Sequence, residues 1–221
     1  IMLVNVIAFS LALLVTSQLK GRNYYRAGFF LPTIIGGIIL GYIWQFIFNY
    51  FVPRIAAMAG FTYLAENLML GNSNTAILAM VIVSTWQSAG YIMMIYVAAL
   101  QNVPRDLIEA AQIDGANAWQ RFRNITIPMV SQAFTVTLFL TLVNSFKQFD
   151  VNVSLTNGGP STMFLGRAIK GTTLLAMNIS DTSTISLNTA QAQAKAIIFF
   201  LVLVTFSLIQ VYVSKKREVE L

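Results

Sequence analysis

An all-α fold, a polytopic bundle of transmembrane helices, is the fold class that this 221-residue sequence predicts. Composition is the first reason, because 57% of the residues are hydrophobic, only 10% are charged and the mean hydropathy is +0.69. A soluble domain carries about 25% charged residues, so this chain lacks the charges that would cover a soluble domain. The apolar residues also form continuous runs, rather than the alternating pattern of membrane β-strands.

Five segments free of Asp, Glu, Lys and Arg are the predicted membrane spans. A helix needs about 20 residues to cross a bilayer, and the last two segments are slightly short, so we expect their ends to extend into flanking residues. The spans are about 1–19, 27–51, 75–100, 129–146 and 197–213. In the second span, Gly37 and Gly41 have the GxxxG spacing that favours close helix packing.

We expect one membrane domain over residues 1–221. The chain begins with Ile1 already inside an apolar run, and no basic segment precedes that run. A signal peptide would start with a charged region. We therefore expect that at least one earlier N-terminal span is missing from this chain.

The distribution of basic residues predicts the orientation. Nine of the 14 lysines and arginines lie in the connections 20–26, 101–127 and 214–221, which together contain 42 residues. The other five lie in the connections 52–74 and 147–196, which contain 73 residues. Cytoplasmic loops carry the excess of positive charge, so the first set is predicted to be cytoplasmic. These loops also account for the net charge of +6, and no nucleic-acid partner is expected.

Two outer segments are predicted to be more than simple loops. Residues 52–74 contain apolar pieces that can lie along the membrane surface. Residues 163–177 have a helix-like, amphipathic pattern, and the Ser-, Thr- and Asn-rich stretch 178–188 predicts an exposed loop.

The cytoplasmic connection 101–127 is predicted to form two short helices joined by a turn. Asn102 can cap the first helix, and Pro104 lies in its first turn, where the missing N–H is not needed. Gly115 predicts the end of that helix, because glycine tolerates the left-handed conformation. A second short helix is predicted over Ala118–Asn124. From the residues alone, an alternative remains open: the connection 101–127 is an amphipathic connector that lies on lipid headgroups.

The residue pattern of this connection resembles the EAA loop of binding-protein-dependent ABC importer permeases. Nine positions agree with that loop at fixed spacing: Glu109, Ala110, Ala111, Asp114, Gly115, Ala116, Phe122, Ile125 and Pro128. The usual leucine before the proline is Ile127 here. Residues 20–32 are similar to the connection between the second and third spans of sugar permeases. Residues 156–160, Thr-Asn-Gly-Gly-Pro, look like an outer turn of the first permease in maltose-type and multiple-sugar importers.

The resemblance implies a permease subunit with the type I ABC importer fold, in a multi-pass arrangement in the bacterial or archaeal cytoplasmic membrane. Its implied partners are a second, homologous permease, cytoplasmic ATPase subunits and an external sugar-binding protein. ATP and Mg²⁺ belong to the ATPase, so no cofactor is implied in this chain and the chain is not itself an enzyme. The residues implied to couple the permease to the ATPase are Glu109, Ala110, Ala111, Asp114, Gly115 and Ala116.

Two polar helix faces are the predicted substrate pathway. Each face has the spacing i, i+3, i+4, i+7, and polar side chains within a bilayer face other protein or a water-filled cavity. The third span contributes Ser84, Gln87, Ser88 and Tyr91, and the fourth contributes Thr141, Asn144, Ser145 and Gln148. Amides and hydroxyls suit a sugar, and the absence of charge in the spans favours a neutral substrate. The alternative role for these residues is hydrogen bonding between helices.

Several function classes are disfavoured by what the sequence lacks. It has no Cys and no His, and we expect no metal site. It has no GxxxxGK[ST] phosphate loop, and its spans contain no ionisable residue that an ion-coupled carrier would use. The alternatives that remain are an ABC permease for another neutral solute and, less favoured, an ion-coupled secondary carrier, a channel or a structural anchor.

Overall fold

The computed structural model describes residues 1–17 and 20–216. The last two residues of the predicted first span and Arg217 of the last connection lie outside the described residues. The described residues are mainly helical and include one two-stranded antiparallel sheet. In chain order the elements are α1 (Met2–Thr16), α2 (Arg22–Ile34), α3 (Gly37–Phe46), a π-helical segment (Ile47–Phe51), α4 (Val52–Met58), α5 (Thr62–Glu66), α6 (Ser73–Gln101), α7 (Arg105–Ile113), α8 (Ala118–Arg121), a second π-helical segment (Phe122–Thr126), α9 (Ile127–Met129), α10 (Ser131–Phe146), α11 (Asp150–Leu155), β1 (Ser161–Phe164), β2 (Arg167–Lys170), α12 (Leu175–Thr184) and α13 (Thr189–Lys215).

Three of the described helical stretches are long and apolar enough to cross a membrane. They are Gly37–Met58, Ser73–Gln101 and Thr189–Lys215. A fourth is formed if the pair Ala118–Met129 and Ser131–Phe146, bent by 61°, counts as one span, and Met2–Thr16 is a shorter apolar helix. The residues of the predicted second span do not form one helix, because α2 ends at Ile34 and α3 begins at Gly37.

Each π-helical segment ends two residues before a proline. Pro53 follows Ile47–Phe51, and Pro128 follows Phe122–Thr126. Proline has no N–H for the usual helical hydrogen bond, and its ring clashes with the carbonyl four residues earlier. A wider π turn before the ring lets the helix continue, and α4 and α9 do continue past Pro53 and Pro128.

The chain divides into two compact units. Unit 1 comprises residues 1–33, 88–145 and 203–221. Its core is formed by buried residues of α1, α6 and α10, among them Ala8, Ala12 and Met93. The same interior contains a polar network, in which Tyr96 donates its hydroxyl to the Asn5 side chain at 2.9 Å and Thr137 donates to the Tyr96 oxygen at 2.7 Å.

Unit 2 comprises residues 34–87 and 146–202, and its core joins α3, α6 and α11. The predicted close packing at the GxxxG pair is confirmed, because a Cβ on Gly41 would overlap the Ser154 hydroxyl and one on Gly37 would lie 2.7 Å from the Asp150 Cβ. Asn152 is fully buried, donates to the Thr172 carbonyl at 2.8 Å and accepts from the Leu174 N–H at 3.1 Å.

The predictions for residues 163–188 were wrong for 163–174 and for 178–184. Residues 161–170 form a hairpin, with Ser161 opposite Lys170, around a two-residue turn in which Leu165 and Gly166 both have positive φ. Such a turn is the one that matches the twist of paired strands. The stretch expected to be an exposed loop is largely helical, because α12 extends to Thr184. Thr182 and Thr184 turn their hydroxyls onto the backbone carbonyls four residues earlier, and Lys195 donates to Asn178 and Thr182.

Candidate functional site

The elbow, as we name residues 104–121 of unit 1, is an exposed helix-turn-helix. Its first helix, α7, has Asp106 in its first turn and contains no buried residue. The apolar side chain of Ile113 is 87% exposed, and Leu107 is also exposed. The predicted cap at Asn102 was wrong: the N-cap is Pro104, whose own N–H is absent and whose extended backbone leads into the helix. A helix with this much uncovered apolar surface is suited to contact another molecule.

The turn of the elbow is fixed by backbone geometry, as the sequence predicted. Gly115 has φ +82°, a conformation that favours glycine. The N–H of Ala116 then bonds to the Ala111 carbonyl at 2.9 Å, and the N–H of Gly115 bonds to the Gln112 carbonyl at 3.2 Å. These bonds satisfy carbonyls that a helix end leaves unpaired, so the direction in which the chain leaves α7 is defined.

The second helix of the elbow is held by side chains that the sequence analysis missed. Asn117 and Gln120 form a reciprocal capping box. The Gln120 N–H donates to the Asn117 side chain at 2.9 Å, and the Asn117 N–H donates to the Gln120 side chain at 2.8 Å. Arg121 donates to the Ala116 carbonyl at 2.7 Å. The capping box has a local sequence signal, a small polar residue followed three positions later by Glu or Gln. The Arg121 contact has no such signal.

Aromatic rings join the elbow to the core of unit 1. The Trp119 and Phe122 rings lie 5.6 Å apart, centroid to centroid, and Phe122 lies 6.3 Å from Phe9 of α1. Phe9 in turn contacts Tyr96 at 5.2 Å. Packed side chains of this kind can transmit a displacement of the elbow into the helices of the unit.

The predicted coupling residues lie on both sides of the Gly115 turn. Glu109 and Ala110 are exposed, whereas Ala111 and Ala116 are half-buried. Asp114 is the C-cap of α7, and its N–H bonds to the Ala110 carbonyl at 3.0 Å. Within the described part of the chain, the Glu109 carboxylate has no ion-pair or hydrogen-bond partner. It is therefore available to another molecule.

The cleft, as we name a cavity of about 160 Å³ in unit 2, brings together two of the predicted pathway residues, Gln87 and Gln148. It is lined by Gly37, Gln87 and residues 147–151. The side-chain amide of Gln148 donates to the Ser84 hydroxyl at 2.9 Å, which connects residues 64 positions apart. The side-chain amide of Gln87 donates to the Ile35 carbonyl at 3.1 Å, at the break between α2 and α3.

The sequence pattern predicts Gln148 on the helical face of the fourth span, and this prediction is wrong. The helix α10 ends at Phe146, and residues 147–149 form a break before α11 begins at Asp150. The break places Gln148 outside the helix, so its i+7 spacing from Thr141 does not put both residues on one helix face. It also changes the charge of the site, because Lys147 and Asp150 line the cleft. These two residues follow the predicted fourth span in sequence, so the cleft contains charged side chains although the span itself has none.

The remaining pathway residues lie in unit 1. Thr141 is buried, and its hydroxyl accepts a 2.9 Å bond from the Asn5 side chain. Ser145 donates to the Thr141 carbonyl at 2.7 Å. The bond from Asn5 to Thr141 matches the alternative of hydrogen bonding between helices, whereas the Ser145 bond lies within α10. Ser88 is half-buried, whereas Tyr91 and Asn144 are exposed.

Sequence reasoning missed Asn5 and Tyr96, which hold the buried polar network of unit 1. They are 91 residues apart, and each stands alone among apolar neighbours. Neither residue belongs to a periodic polar face of a helix, so a search of the sequence for polar helix faces does not find them.

Comparison with known proteins gives a consistent result. Residues 4–219 match the model of a protein family described as the binding-protein-dependent transport system inner membrane component. The probable starch degradation products transport system permease protein AmyD of Thermoanaerobacterium thermosulfurigenes is 46% identical over 221 residues, which are all of this chain and 72% of that protein. The multiple sugar-binding transport system permease protein MsmF of Streptococcus mutans is 30% identical over 214 residues, 97% of this chain and 71% of that protein.

A solved structure has the same fold. It is the crystal structure of a bacterial ABC transporter involved in the import of the acidic polysaccharide alginate, with a TM-score of 0.80 at 19% sequence identity. The match covers 95% of this chain and 72% of that chain. The predicted fold class, a helical transmembrane permease of the ABC importer type, is thereby confirmed.

Proposed function

This chain belongs to the family of binding-protein-dependent transport system inner membrane components, and from that premise we propose that it works as a permease for sugars or oligosaccharides. It moves its substrate across the membrane without changing any bond in it. It is accordingly a transporter subunit and not an enzyme. The full-length similarity to a permease for starch degradation products supports a carbohydrate substrate.

The elbow couples the permease to a cytoplasmic ATPase. The observation that carries this assignment is the exposed α7 helix with its uncovered Ile113, at the position of the EAA motif. The small side chains of Ala110, Ala111 and Ala116 permit close approach of another protein surface. Glu109 offers a free carboxylate to that surface.

The elbow has the rigidity that a coupling element needs. The Gly115 turn, the Asn117–Gln120 capping box and the Arg121 bond fix the angle between its two helices. The aromatic contacts from Trp119 to Phe9 attach it to the core of unit 1. A movement of the ATPase surface therefore displaces helices of the permease instead of bending the loop.

The cleft, with Gln148, Ser84 and Gln87, forms part of the substrate pathway. Amides and hydroxyls are suitable partners for sugar hydroxyl groups because they both donate and accept hydrogen bonds. The exposed Tyr91 and Asn144 of unit 1 are further pathway residues. Thr141 is assigned to helix packing in this proposal, because it is buried and its hydroxyl accepts from Asn5 of α1, whereas the Ser145 hydroxyl bonds only within α10.

The complete importer contains this chain, a second homologous permease, two ATPase subunits that hold ATP and Mg²⁺, and an external sugar-binding protein. It resides in the cytoplasmic membrane of a bacterium or archaeon. ATP binding brings the ATPases and their bound elbows together and opens the pathway outward. Hydrolysis returns the pathway to the inward-facing state.

The test is a transport assay of the purified complex in proteoliposomes, with the binding protein present and a panel of neutral sugars. The proposal expects sugar uptake that requires ATP, and ATPase activity that rises when the binding protein carries its sugar. Uptake driven by a proton or sodium gradient without ATP would identify an ion-coupled carrier instead. ATP-driven uptake of a neutral solute other than a sugar would retain the ABC permease and replace its substrate.

A further inference from the structure

Two side chains of opposite charge, one before and one after Gln148 in the sequence, line the cleft. They are Lys147, in the break after α10, and Asp150, the first residue of α11. The ion pair found among the described residues is Lys170–Asp181, at 3.2 Å in another part of unit 2. Within the same described residues, the side chains of Lys147 and Asp150 form no ion pair and no hydrogen bond. Both charges therefore keep their bonding capacity for a ligand.

Asp150 is an exposed residue whose side chain lies close to the backbone of Gly37. A Cβ on Gly37 would lie 2.7 Å from the Asp150 Cβ and 3.3 Å from its carboxylate oxygen Oδ2. The Asp150 carboxylate thus lies against the first turn of α3, where the helix dipole favours a negative charge. The absence of a side chain at position 37 lets this carboxylate approach the cleft wall.

The four polar side chains of the cleft are complementary to an uncharged, hydroxyl-rich ring. A carboxylate only accepts hydrogen bonds and an ammonium only donates them, whereas the amides of Gln87 and Gln148 can do both. A sugar hydroxyl also donates and accepts, so it can bind to Lys147, Gln148 or Asp150. The cavity of about 160 Å³ is smaller than the roughly 300–1,000 Å³ of sites for drug-sized ligands, so it suits one unit of a saccharide.

We propose that Lys147 and Asp150 are the specificity residues of the cleft and select a neutral sugar unit over an acidic or phosphorylated one. This inference rests on the proposed function, since it names the chemical class of the substrate. Lys147 alone would attract a carboxylate or phosphate group. Asp150 opposes that attraction and repels the anion, while it accepts hydrogen bonds from the hydroxyls of a neutral sugar.

The experiment measures sugar binding by the intact permease–ATPase complex in lipid nanodiscs, with a hydrolysis-deficient ATPase and saturating ATP. The binding protein is omitted because its own selectivity would mask that of the cleft. The two probes are a neutral glucose trisaccharide and a galacturonic acid trisaccharide of the same length. Their Kd values are compared by calorimetry.

The wild-type complex is expected to bind the neutral trisaccharide more tightly. Asp150→Asn should weaken binding of the neutral trisaccharide and tighten binding of the acidic one. The ratio of the two Kd values should shift by about tenfold or more, because a hydrogen bond to a charged group has an effect of this size. Lys147→Gln should weaken binding of both trisaccharides, and it should weaken binding of the acidic one more. Glu66→Gln and Arg167→Gln, which remove an acid and a base of unit 2 outside the cleft, should leave the ratio unchanged.

Failure of the inference and failure of the proposed function give different results. If the wild type binds the neutral sugar but neither Asp150→Asn nor Lys147→Gln changes the ratio, Lys147 and Asp150 do not set specificity and the proposed function stands. If the wild type binds neither trisaccharide, the inference fails, and ATP-driven sugar uptake with the binding protein present decides the proposed function separately. Should a neutralised variant not assemble, Asp150→Glu and Lys147→Arg replace it: retention of the wild-type preference supports the inference, and its loss with both charges present overturns it.

Discussion

The side-chain amide of Gln148 donates a 2.9 Å hydrogen bond to the hydroxyl of Ser84. This contact joins α6 to the break that follows α10, and it places a polar pair beside the cleft. An amide has two donor hydrogens and an acceptor oxygen, so Gln148 retains bonding capacity for a ligand while Ser84 orients it.

Gln148→Leu should therefore weaken sugar binding. The loss of neutral hydrogen bonds costs about 0.5–1.5 kcal/mol each, and we expect the half-saturating sugar concentration for ATP-driven uptake to rise about two- to tenfold. Ser84→Ala should have a smaller effect in the same direction, because it frees the amide without removing it. Reduced assembly of the complex on gel filtration, with unchanged sugar affinity, would assign Gln148 to helix packing instead.

Thr141→Val should affect stability and leave transport specificity unchanged. The Thr141 hydroxyl accepts the Asn5 bond in the interior of unit 1, and such bonds between membrane helices contribute about 0.6 kcal/mol on average. The thermal midpoint of the purified complex is expected to fall slightly. The control is Ser10→Ala, whose exposed hydroxyl bonds only within its own helix. A clear loss of sugar affinity in Thr141→Val would instead show that Thr141 belongs to the substrate pathway.

Gly41→Ala should destabilise unit 2. An added Cβ would overlap the Ser154 hydroxyl and would lie 3.2 Å from the Leu155 backbone nitrogen, so α3 and α11 would have to move apart. Overpacking of this kind costs about 1–3 kcal/mol. Gly36→Ala is the matched control, because a Cβ there meets nothing within 4 Å. Thermal unfolding of the two variants in detergent compares them, and equal midpoints would contradict the packing argument.

Glu109→Lys should uncouple transport from ATP hydrolysis. The exposed carboxylate has no partner among the described residues, and a reversed charge at the contact with the ATPase would oppose docking. Loss of one partner of a buried, hydrogen-bonded charge pair at an interface costs roughly 2–5 kcal/mol, so if the ATPase buries this carboxylate, uptake should fall by about tenfold or more while the subunit remains in the membrane. Glu66→Lys, a charge reversal on the short helix α5, serves as the control. Wild-type uptake by Glu109→Lys would argue against a role for this residue.

Features marked by a characteristic residue could be predicted from the sequence, and features without such a marker could not. Gly115 could be identified as the end of α7 because few other residues adopt its conformation, and its φ of +82° agrees. The end of α10 at Phe146 has no glycine or proline to mark it, so Gln148 was placed on a helix that does not reach it. That boundary also hid Lys147 and Asp150, because they were counted with an outer loop.

The outer segment shows a second kind of limit. The residues of the hairpin carry a helix-like apolar pattern, and its turn, Leu165–Gly166, lacks the Asn-Gly or Asp-Gly pair that signals a two-residue hairpin. The helix α12 is rich in Ser and Thr, which favour turns in isolation. It is stabilised by Lys195, which is distant in sequence and donates to Asn178 at 2.8 Å and to Thr182 at 2.7 Å. A contact of this kind cannot be inferred from a local pattern.

The most direct test of the proposed function asks what the elbow contacts in the working importer. A photo-crosslinking amino acid is placed at Ile113, the most exposed apolar residue of α7, in the complete complex reconstituted in lipid. Illumination with and without ATP, followed by mass spectrometry, identifies the captured molecule. The account predicts a covalent adduct with the ATPase subunit whose yield changes with ATP. Adducts with lipid alone would contradict it.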